Sequence, residues 1–503
     1  MFVRKKKNRS GVISVQVIDK STGKYKMLKT IGSSDDADEI ERLVAKGKDW
    51  VKARTGNLEI DFSGKRQLTE DILNNIDQIN VSGTEHLLGK LYDEIGFDKI
   101  DNNLFKKLVI SRLSFPASKL KTVDLLLKYH SVNINIQDVY RYLDKLYNTQ
   151  KEFIQQISYE HTLKVLNNTI SVVFYDVTTL YFQIDDEDEI RKRGFSKEGK
   201  HQNPQIVLGL LVSVGGYPLS YEIFEGNKFE GHTMLPIIDA FKNKYHLNKL
   251  VIIADSGLLS SQNIIELQEK GYEFILGARI KNEKQQIKDK ILTLNLKSGE
   301  SKIIEKEDSL KLIISHSDKR AKKDKHNRER GLQRLEKQIK SGKLTKSNIN
   351  NRGYNKYLKM EGKVNISIDI NKFEEDGQWD GLKGYVTNTN LSKESIIENY
   401  GHLWKIEKAF RISKHDLKIR PIYHRLQRRI EAHIAINFTS YKIYKELERQ
   451  LKEKNADLSP EKAIEIAKTI YSIKINIPNT KESITRTLIL NDEQKYLAEL
   501  FKF

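Results

Sequence analysis

Residues 170–184, ISVVFYDVTTLYFQI, decide the fold of the central part of the chain. The stretch is dominated by β-branched and aromatic residues, which predicts a strand. Two more strands are predicted after it: the apolar run QIVLGLLVSV at 205–214, and PLSYEIFEG at 218–226, which follows a turn. Three consecutive strands of this kind predict a meander.

Two helix-linked strands follow the meander. The run HTMLPIIDAFKNKYHL at 232–247 predicts a helix, and KLVIIADSG at 249–257 predicts a short buried strand that ends at a carboxylate. A second helix at 260–271 begins after a serine cap, and the strand YEFILGARI at 272–280 comes next. The order βββαβαβ predicts an α/β fold in which the last two strands are parallel.

The pattern changes on either side of this centre. A hairpin at 11–31 and a helix at 36–54 precede a mostly helical region. In that region QDVYRYLDKLY, at 137–147, is either a groove-binding helix or part of a packed helical bundle. Residues 281–375 interrupt the central pattern with candidate strands and a highly charged run.

The charge of the chain is concentrated in three windows. The 87 Lys and Arg against 68 Asp and Glu give a net charge of +19. Residues 1–30 are net +8, residues 318–350 net +8 and residues 400–430 net +7, so the rest of the chain is net −4. Separate basic segments favour several contacts along a phosphate backbone. A lysine-rich composition with solvated faces is the alternative explanation.

Cysteine content and apolar runs exclude several classes of protein. The chain has no cysteine, which excludes disulfides, thiolate nucleophiles and cysteine-ligated zinc or iron–sulfur centres. The longest apolar stretch, 206–214, is too short to span a membrane, and the basic N-terminus lacks the apolar region of a signal peptide. We therefore expect a cytoplasmic, nucleoid-associated protein with no membrane partner.

Three acids stand out by their positions. Asp176 lies inside the first apolar strand, Asp255 ends the strand VIIAD, and Glu407 lies in LWKIEKAF of the last predicted helix. Buried acids are costly unless they are paired or bind a cation, and hard divalent cations take oxygen ligands. Two strand acids and a helix glutamate therefore predict a metal site. A helix cap at Asp255 and an i,i+4 pair between Glu407 and Arg411 are the structural alternatives.

The last predicted helix, 392–416, carries a polar stripe. Tyr400, Glu407 and Lys414 are seven residues apart, which returns each to within about 20° of the same face. Arg411 shares that face with Glu407. A carboxylate flanked by cationic groups suits a metal ligand beside bound phosphates.

These residues resemble the motifs of DDE-type insertion-sequence transposases of the IS-four superfamily, in the branch with a long insertion before the final glutamate. The matching blocks are YDVTTLYF around Asp176, ADSG around Asp255, DGLKGYVTNT at 380–389, YGHLWKIEKAFRISK at 400–414 and RPIYHRLQRRIEAH at 420–433. The resemblance covers most of 85–445. Each block alone is weak, whereas five in this order are specific.

The resemblance implies an RNase H-like catalytic domain. It makes Asp176, Asp255 and Glu407 the catalytic triad and the ligands of two Mg²⁺ ions, with Mn²⁺ as a substitute. Tyr400 also fits the family's last block, but Leu403 stands where the family has arginine. The implied reaction is phosphoryl transfer on DNA, in which element ends are cleaved and joined to a target.

The resemblance also implies DNA as the partner, both the terminal inverted repeats and the target, bound by a homodimer assembled on DNA. The predicted DNA-contacting residues come from the last helix and from the charged run: Tyr400, Trp404, Lys405, Arg411, Lys414, Lys319, Arg320, Lys322, Lys323, Arg328 and Arg330. Two other functions stay open. One is a catalytically silent DNA-binding protein derived from a transposase, and the other is a metal-dependent nuclease without strand transfer.

The expected domain organisation follows from the motifs and the resemblance. In chain order, the domains are a β-hairpin and helix (1–60), a helical DNA-binding region (61–165), an RNase H-like catalytic domain (166–280 and 376–445) that is interrupted by a basic, β-rich insertion (281–375), and a C-terminal helical region (446–503).

Overall fold

A computed structural model of the chain describes residues 1–55, 70, 72–196, 199–247, 249–351, 353–361, 365–477, 480 and 482–503. The chain divides into two compact units. The smaller comprises Met1–Asp77 and Lys474–Ile484, and the larger comprises Gln78–Ile473 and Thr485–Phe503. Within these ranges no helix is both long enough and apolar enough to cross a membrane. All the candidate site residues lie in the larger unit.

The smaller unit begins with a three-stranded antiparallel sheet. Its elements are β1 (Phe2–Lys7), β2 (Ile13–Asp19), β3 (Lys26–Ser34) and the helix α1 (Ala37–Thr55), which packs on the strands. Strands β2 and β3 form the predicted hairpin. Strand β1 was not predicted, because its run of basic residues lacks the alternation that marks a strand. Residues 56–69, where two predicted domains meet, lie outside the described residues.

An eight-stranded mixed sheet forms the centre of the larger unit. Its strands in spatial order are β10 (Ser301–Glu305), β11 (Lys311–His316), β14 (Leu382–Thr387), β9 (Glu273–Ala278), β8 (Val251–Ala254), β5 (Val172–Tyr181), β6 (Gln205–Ser213) and β7 (Pro218–Glu225). The meander β5–β6–β7 is antiparallel, β8 is parallel to β5, and β9 is parallel to β8. This is the strand order of an RNase H-like fold, so the predicted α/β class is confirmed.

Both faces of the sheet are covered. The helices α7 (Met234–Tyr245) and α8 (Ser261–Glu269) connect β7 to β8 and β8 to β9. Tyr175 faces one core, to which α7 contributes, whereas Phe174 faces a second core on the other side. Every residue of β6 is buried, as expected for a strand that is covered on both faces.

A helical bundle packs on the Phe174 side. Its helices are α2 (Lys90–Ile95), α3 (Asn103–Ser114), α4 (Lys119–His130), α5 (Ile136–Thr149), α6 (Lys151–Val165) and α14 (Gln427–Glu453). The run QDVYRYLDKLY belongs to α5, which packs on α14 through the buried Val139, Tyr142 and Leu143. It is therefore a member of the packed bundle rather than an unpacked groove-binding helix.

The segment 281–375 differs from the separate β-rich insertion that was predicted. Strands β10 and β11 extend the central sheet beyond β14, because the apolar residues of β11 reach the cores on both faces. The other elements are α9 (Gln285–Leu292), α10 (Asp318–Lys340), β12 (Leu358–Glu361), β13 (Asn365–Ile368) and α11 (Ile370–Gly377). The 23-residue helix α10 is the longest of them. The insertion is thus organised around a helix, and two of the four strands among its described residues belong to the main sheet.

The predicted helix over 392–416 is divided in the structure. Helix α12 (Lys393–Gly401) is followed after a short turn by α13 (Trp404–Arg411) and a π-helical turn at Ile412–Asp416. Helix α12 packs on β8 and β9, and α13 packs on β5. Both segments therefore cover the same face of the sheet.

The C-terminal region contains strands as well as helices. Helix α14 crosses the predicted domain boundary at 445, because it is buried along most of its length. The remaining elements are α15 (Pro460–Ala467), β15 (Tyr471–Asn476), β16 (Ser483–Leu488), α16 (Asp492–Phe501) and, before the bundle, β4 (Ile76–Val81). The prediction of a helical C-terminal region is therefore wrong for β15 and β16, whose alternating patterns extend over only six residues each.

Candidate active site

Asp176 and Asp255 occupy neighbouring positions on two parallel strands. Tyr175 of β5 pairs with Ala254 of β8, and each of these residues is followed directly by an aspartate. Asp176 is half-buried within β5, whereas Asp255 is exposed just past the carboxyl end of β8. The register of the two parallel strands therefore places the two predicted acids side by side.

Asp176 lies on the face of the sheet that α13 covers. Side chains alternate along a strand, so Asp176 shares its face with Phe174. Phe174 belongs to the same core as Ile406 and Phe410 of α13. The main-chain amide of Val177 donates a hydrogen bond to Asp176 Oδ1 at 2.8 Å. A carboxylate is thus placed in an otherwise apolar layer, directly below the helix that carries the third acid.

The chain changes direction directly after Asp255. A single 3₁₀ turn at Ser256–Leu258 follows β8. Helix α8 then begins after Ser260, whose side chain accepts a hydrogen bond from the amide of Asn263 at 3.1 Å. Asp255 does not cap this helix, because Ser260 has that role. The local fold therefore leaves the Asp255 carboxylate available at the edge of the sheet.

Tyr400, near the end of α12, connects the covering helices to Asp255. Its hydroxyl donates a hydrogen bond to Asp255 Oδ1 at 3.1 Å. The ring is buried and lies edge-on to Tyr385 of β14, with the centroids 4.9 Å apart. Burial raises the pKa of Tyr400, and the charges of Asp255 and Glu407 raise it further. The hydroxyl therefore stays protonated and donates to the carboxylate.

Glu407 lies on the exposed side of α13. Ile406, Ala409 and Phe410 bury the opposite side of the helix in the core. The charge of Glu407 contributes to the raised pKa of Tyr400, so the two side chains are within electrostatic reach of each other. The apolar face of α13 therefore holds Glu407 at the rim of the site.

Lys383 of β14 was missed by the sequence-based predictions. Its ammonium nitrogen lies 4.4 Å from the centroid of the Tyr400 ring. Burial lowers the pKa of Lys383, as does the charge of Arg320, whereas Asp255 and Glu407 act in the opposite direction. A cation therefore lies within electrostatic reach of two of the three acids. The signal was available, because Lys383 belongs to the block DGLKGYVTNT.

The donor chemistry of the three acids fits a divalent cation, since Mg²⁺ and Mn²⁺ prefer oxygen ligands. Asp176 and Asp255 are adjacent in the sheet, and Tyr400 fixes one oxygen of Asp255. Among the described residues, no three acidic or histidine side chains form a group that could hold a metal ion. The three acids thus form a set of suitable donors rather than a preassembled cage.

The other residues predicted on the last helix have different surroundings. Trp404 and Arg411 are exposed, whereas Lys414 is half-buried in the π-helical turn. Lys405 donates a hydrogen bond to the main-chain oxygen of Val214 at 2.5 Å, and burial lowers its pKa. Lys405 therefore holds the turn after β6, and the DNA contact predicted for it stays a prediction.

The basic residues predicted on the insertion lie on α10. Five of them are exposed: Lys319, Arg320, Lys322, Lys323 and Arg330. The sixth, Arg328, forms an ion pair with Asp380 at 2.5 Å and lies over the Phe373 ring, 4.7 Å from its centroid. The side chain of Arg328 is largely buried in this ion pair, so the DNA contact predicted for it stays a prediction beside a structural role that the sequence did not indicate.

A cleft of about 610 Å³ opens at Ser256, the residue that follows Asp255. Ser256 and Lys383 form part of its wall near Asp255. Its basic lining residues are Arg279, Lys281, Arg320, Arg328, Lys356 and Lys383, and its acidic lining residues are Asp324, Asp376 and Asp380. The side chains that line the cleft therefore carry a net positive charge. This charge attracts a polyanion into the cleft, next to Asp255.

The RNase H-like sheet and the paired acids on β5 and β8 define an enzyme of the phosphoryl-transfer class. Residues 167–443 match the family described as "Transposase DDE domain". This match covers more than half of the chain, and the chain belongs to that family. It is a DDE transposase, an enzyme of DNA cleavage and strand transfer.

Solved structures with a similar arrangement include a piggyBac transposase synaptic complex with hairpin DNA, with a TM-score of 0.39, 9% identity, and coverage of 80% of this chain and 79% of that chain. A Mos1 transposase paired-end complex with the left transposon end has a TM-score of 0.16, 10% identity, and coverage of 32% and 58%. A Mos1 mariner paired-end complex with Mn has a TM-score of 0.15, 11% identity, and coverage of 31% and 54%. Comparison with curated proteins gave no match.

Proposed function

We propose that this enzyme is a transposase of the IS-four superfamily, in the branch with a long insertion before the catalytic glutamate. It binds the terminal inverted repeats of an insertion sequence and carries out cut-and-paste transposition by metal-dependent cleavage and strand transfer. The observation that carries this proposal is the placement of Asp176 beside Asp255, with Tyr400 donating to Asp255 and Glu407 on the covering helix.

In this proposal, Asp176, Asp255 and Glu407 hold two Mg²⁺ ions, or Mn²⁺ in their place. Bound divalent ions activate the attacking oxygen and stabilise the leaving 3′-oxygen in reactions of this class. Tyr400 fixes the orientation of Asp255 through its hydrogen bond. Lys383 offsets part of the negative charge of Asp255 and Glu407. The packed face of α13 sets the position from which Glu407 completes the ligand set.

DNA is the proposed partner, as inverted repeats and as target. Arg320 of α10 and Lys383 both line the basic cleft, which connects α10 to the site. Trp404 is 53% exposed and is available to stack on a base. We further propose a homodimer on DNA, acting on the nucleoid in the cytoplasm, with the described residues before 166 contributing to recognition of the repeats.

The proposal is tested with the full chain, Mg²⁺ and a labelled DNA fragment that carries the flanking inverted repeats. Cleaved ends that are joined to a second DNA support transposition. Binding without cleavage in Mg²⁺ or Mn²⁺ would instead identify a catalytically silent DNA-binding protein. Cleavage without any joined product would identify a metal-dependent nuclease. A fragment with scrambled repeats is the matched control, and it is expected to be neither bound specifically nor cut at the ends.

A further inference from the structure

A second pocket, of about 540 Å³, lies in the larger unit at the start of α4. Its other wall is the segment that connects the π-helical turn after α13 to α14. The charged residues that line it are all basic: Arg112, Lys119, Lys121, Lys418 and Arg420. None of the described lining residues is an aspartate or a glutamate.

Two of these cations are buried. Lys119 is 5% exposed, and its ammonium group has no hydrogen bond or ion pair with any described residue. Arg112 is also 5% exposed, and its Nη1 reaches only the main-chain oxygens of Leu417 and Lys418, each at 3.4 Å. Burial lowers the pKa of both groups, and the charge of Arg112 lowers that of Lys119 further. The pocket thus contains two buried cations that repel each other.

The neighbouring groups do not offset this charge. His433 lies with Nε2 2.9 Å from the main-chain oxygen of Ile419, and its Nδ1 is buried without a partner among the described residues. Burial lowers the pKa of His424 to about 3, so this ring is neutral. Asp144, on the helix that carries Tyr140 of the pocket wall, is bound by Arg428 and Arg429 at 2.8 and 2.9 Å.

The start of α4 adds to the positive potential. This helix has 12 residues, and Ser118 caps it by accepting a hydrogen bond from the amide of Lys121 at 3.3 Å. Residues 116–121 form one wall of the pocket, so the amide groups of the first turn lie beside the cavity. The N-terminus of a helix attracts anions through these amides and through the helix dipole.

Buried cations are costly without a counter-charge, and a well-placed anion removes that cost. We propose that this pocket is a phosphate-binding site, in which Arg112, Lys119 and the N-terminus of α4 hold the anion. Arg112 offers a planar set of donors and Lys119 a compact charge, a combination that suits a tetrahedral oxyanion. We assign the phosphate to a DNA backbone. This assignment to DNA rests on the proposed function, whereas the anion site itself does not.

The position of the pocket is compatible with one DNA molecule that also reaches the acids. Ile422, next to the Arg420 and Pro421 of the pocket wall, pairs with Phe182 just beyond β5. Asp176 lies on β5, and a strand rises about 3.3 Å per residue, so Phe182 is about 20 Å from Asp176. A DNA strand advances about 3.4 Å per nucleotide, so roughly six nucleotides cover this span.

The anion site is tested first without DNA. Thermal unfolding of the full chain is followed at constant ionic strength in sodium phosphate and in sodium chloride. We expect phosphate to raise Tm in the wild type. In Lys119→Met, at least ten times more phosphate should be needed for the same rise in Tm. In chloride, this variant should unfold at a higher Tm than the wild type, because a buried unpaired charge is removed. Lys128→Met, an exposed lysine near the other end of α4, is the control and should keep the wild-type response.

The proposal is overturned if phosphate and chloride give the same Tm for the wild type. It is also overturned if Lys119→Met keeps the full phosphate effect. If Lys119→Met does not fold, the dependence of Tm on phosphate is compared between Lys119→Gln and the wild type, and the same outcomes overturn the proposal. The wild-type comparison needs no variant, and a flat response there is sufficient to reject the site.

The assignment to DNA is tested by the salt dependence of DNA binding. The slope of log K against log salt is negative, and loss of one phosphate contact reduces its magnitude by about 0.9. Lys119→Met should show this reduction, and Lys128→Met should not. If phosphate stabilises the protein but the slope is unchanged, the pocket takes free phosphate and the DNA assignment fails. If the chain neither cuts nor joins DNA while phosphate still stabilises it, the proposed function fails and the anion site stands.

Discussion

The hydroxyl of Tyr400 donates a hydrogen bond to Asp255 Oδ1 at 3.1 Å, across the boundary between the covering helix and the sheet. The two residues are 145 positions apart in the chain. The bond fixes one carboxylate of the site from outside the strand that carries it. Groups that orient a metal ligand in this way usually change metal affinity when they are removed.

Replacing Tyr400 by phenylalanine should therefore weaken the response to metal. The ring still packs against Tyr385, but the donor to Asp255 is lost. We expect the Mg²⁺ concentration for half-maximal DNA cleavage to rise by about 10–100-fold. Tyr385→Phe is the matched control, since it removes a hydroxyl from the same aromatic pair without touching an acid. An unchanged Mg²⁺ requirement in Tyr400→Phe would show that this hydrogen bond does not position a metal ligand.

The exposed lysines of α10 should contribute to DNA binding through their charge alone. In the triple variant Lys319→Gln, Lys322→Gln, Lys323→Gln, we expect the slope of log K against log salt to decrease by about 2–3. The expected effect is the same for specific and unrelated DNA, because phosphate contacts carry no sequence information. Fluorescence anisotropy between low and physiological salt measures the slope. Lys244→Gln, on α7, which packs on the face of the sheet opposite to α13, should leave it unchanged. An unaltered slope in the triple variant would remove α10 from the DNA interface.

Arg328 should matter for stability rather than for DNA. Its ion pair with Asp380 is mostly buried, with 12% and 16% of the two side chains exposed. Arg328→Met leaves the Asp380 carboxylate unpaired, which should lower the free energy of unfolding by roughly 3–5 kcal/mol. Urea unfolding measures this loss. Arg330→Met, two residues further along the same helix and exposed, is the control. Equal stability of the two variants would contradict the structural assignment of Arg328.

His161 should make the protein less stable in mild acid. Burial and the charge of Lys442 lower its pKa from 6.5 to about 3, although Glu446 opposes the shift. The unfolded chain therefore binds more protons than the folded chain between these pH values, and the free energy of unfolding falls as the pH drops below 6.5. At pH 5 this group accounts for roughly 2 kcal/mol.

The measurement is urea unfolding at pH 7 and pH 5 for the wild type and His161→Met. The variant should lose less stability between the two pH values than the wild type. His326→Met, an exposed histidine on α10, should keep the wild-type difference. If His161→Met shows the wild-type pH dependence, His161 is not held in its neutral form by burial.

Local patterns were sufficient to predict the centre of the fold. The continuous apolar run of β6 and the helix-linked strands β8 and β9 predict the sheet order, because their periodicity and connection lengths admit few arrangements. Asp176 was identifiable because a carboxylate inside an apolar strand has no structural explanation. Its position beside Asp255 then follows from the register of β5 and β8.

Contacts between distant segments were not predictable from local patterns. Arg328 and Arg330 have the same residue type in the same basic run, yet only Arg328 meets Asp380, which comes 52 positions later. Lys405 meets the main-chain oxygen of Val214 from 191 positions away. Strands β10 and β11 have ordinary strand patterns. They belong to the central sheet because β11 pairs with β14, a strand about 70 residues later in the chain. In each case the partner lies outside any sequence window.

The central claim is that Asp176 and Asp255 are the paired acids of the reaction. It is tested most directly by the cleavage of end-labelled DNA carrying the inverted repeats, in Mg²⁺, by Asp176→Asn and Asp255→Asn. Both variants should bind the DNA with wild-type affinity and unfold near the wild-type Tm, but should produce no cleaved or joined product. Asp186→Asn, in the exposed acidic run beyond β5, should cleave as the wild type does. Cleavage retained by either Asp176→Asn or Asp255→Asn would contradict the account.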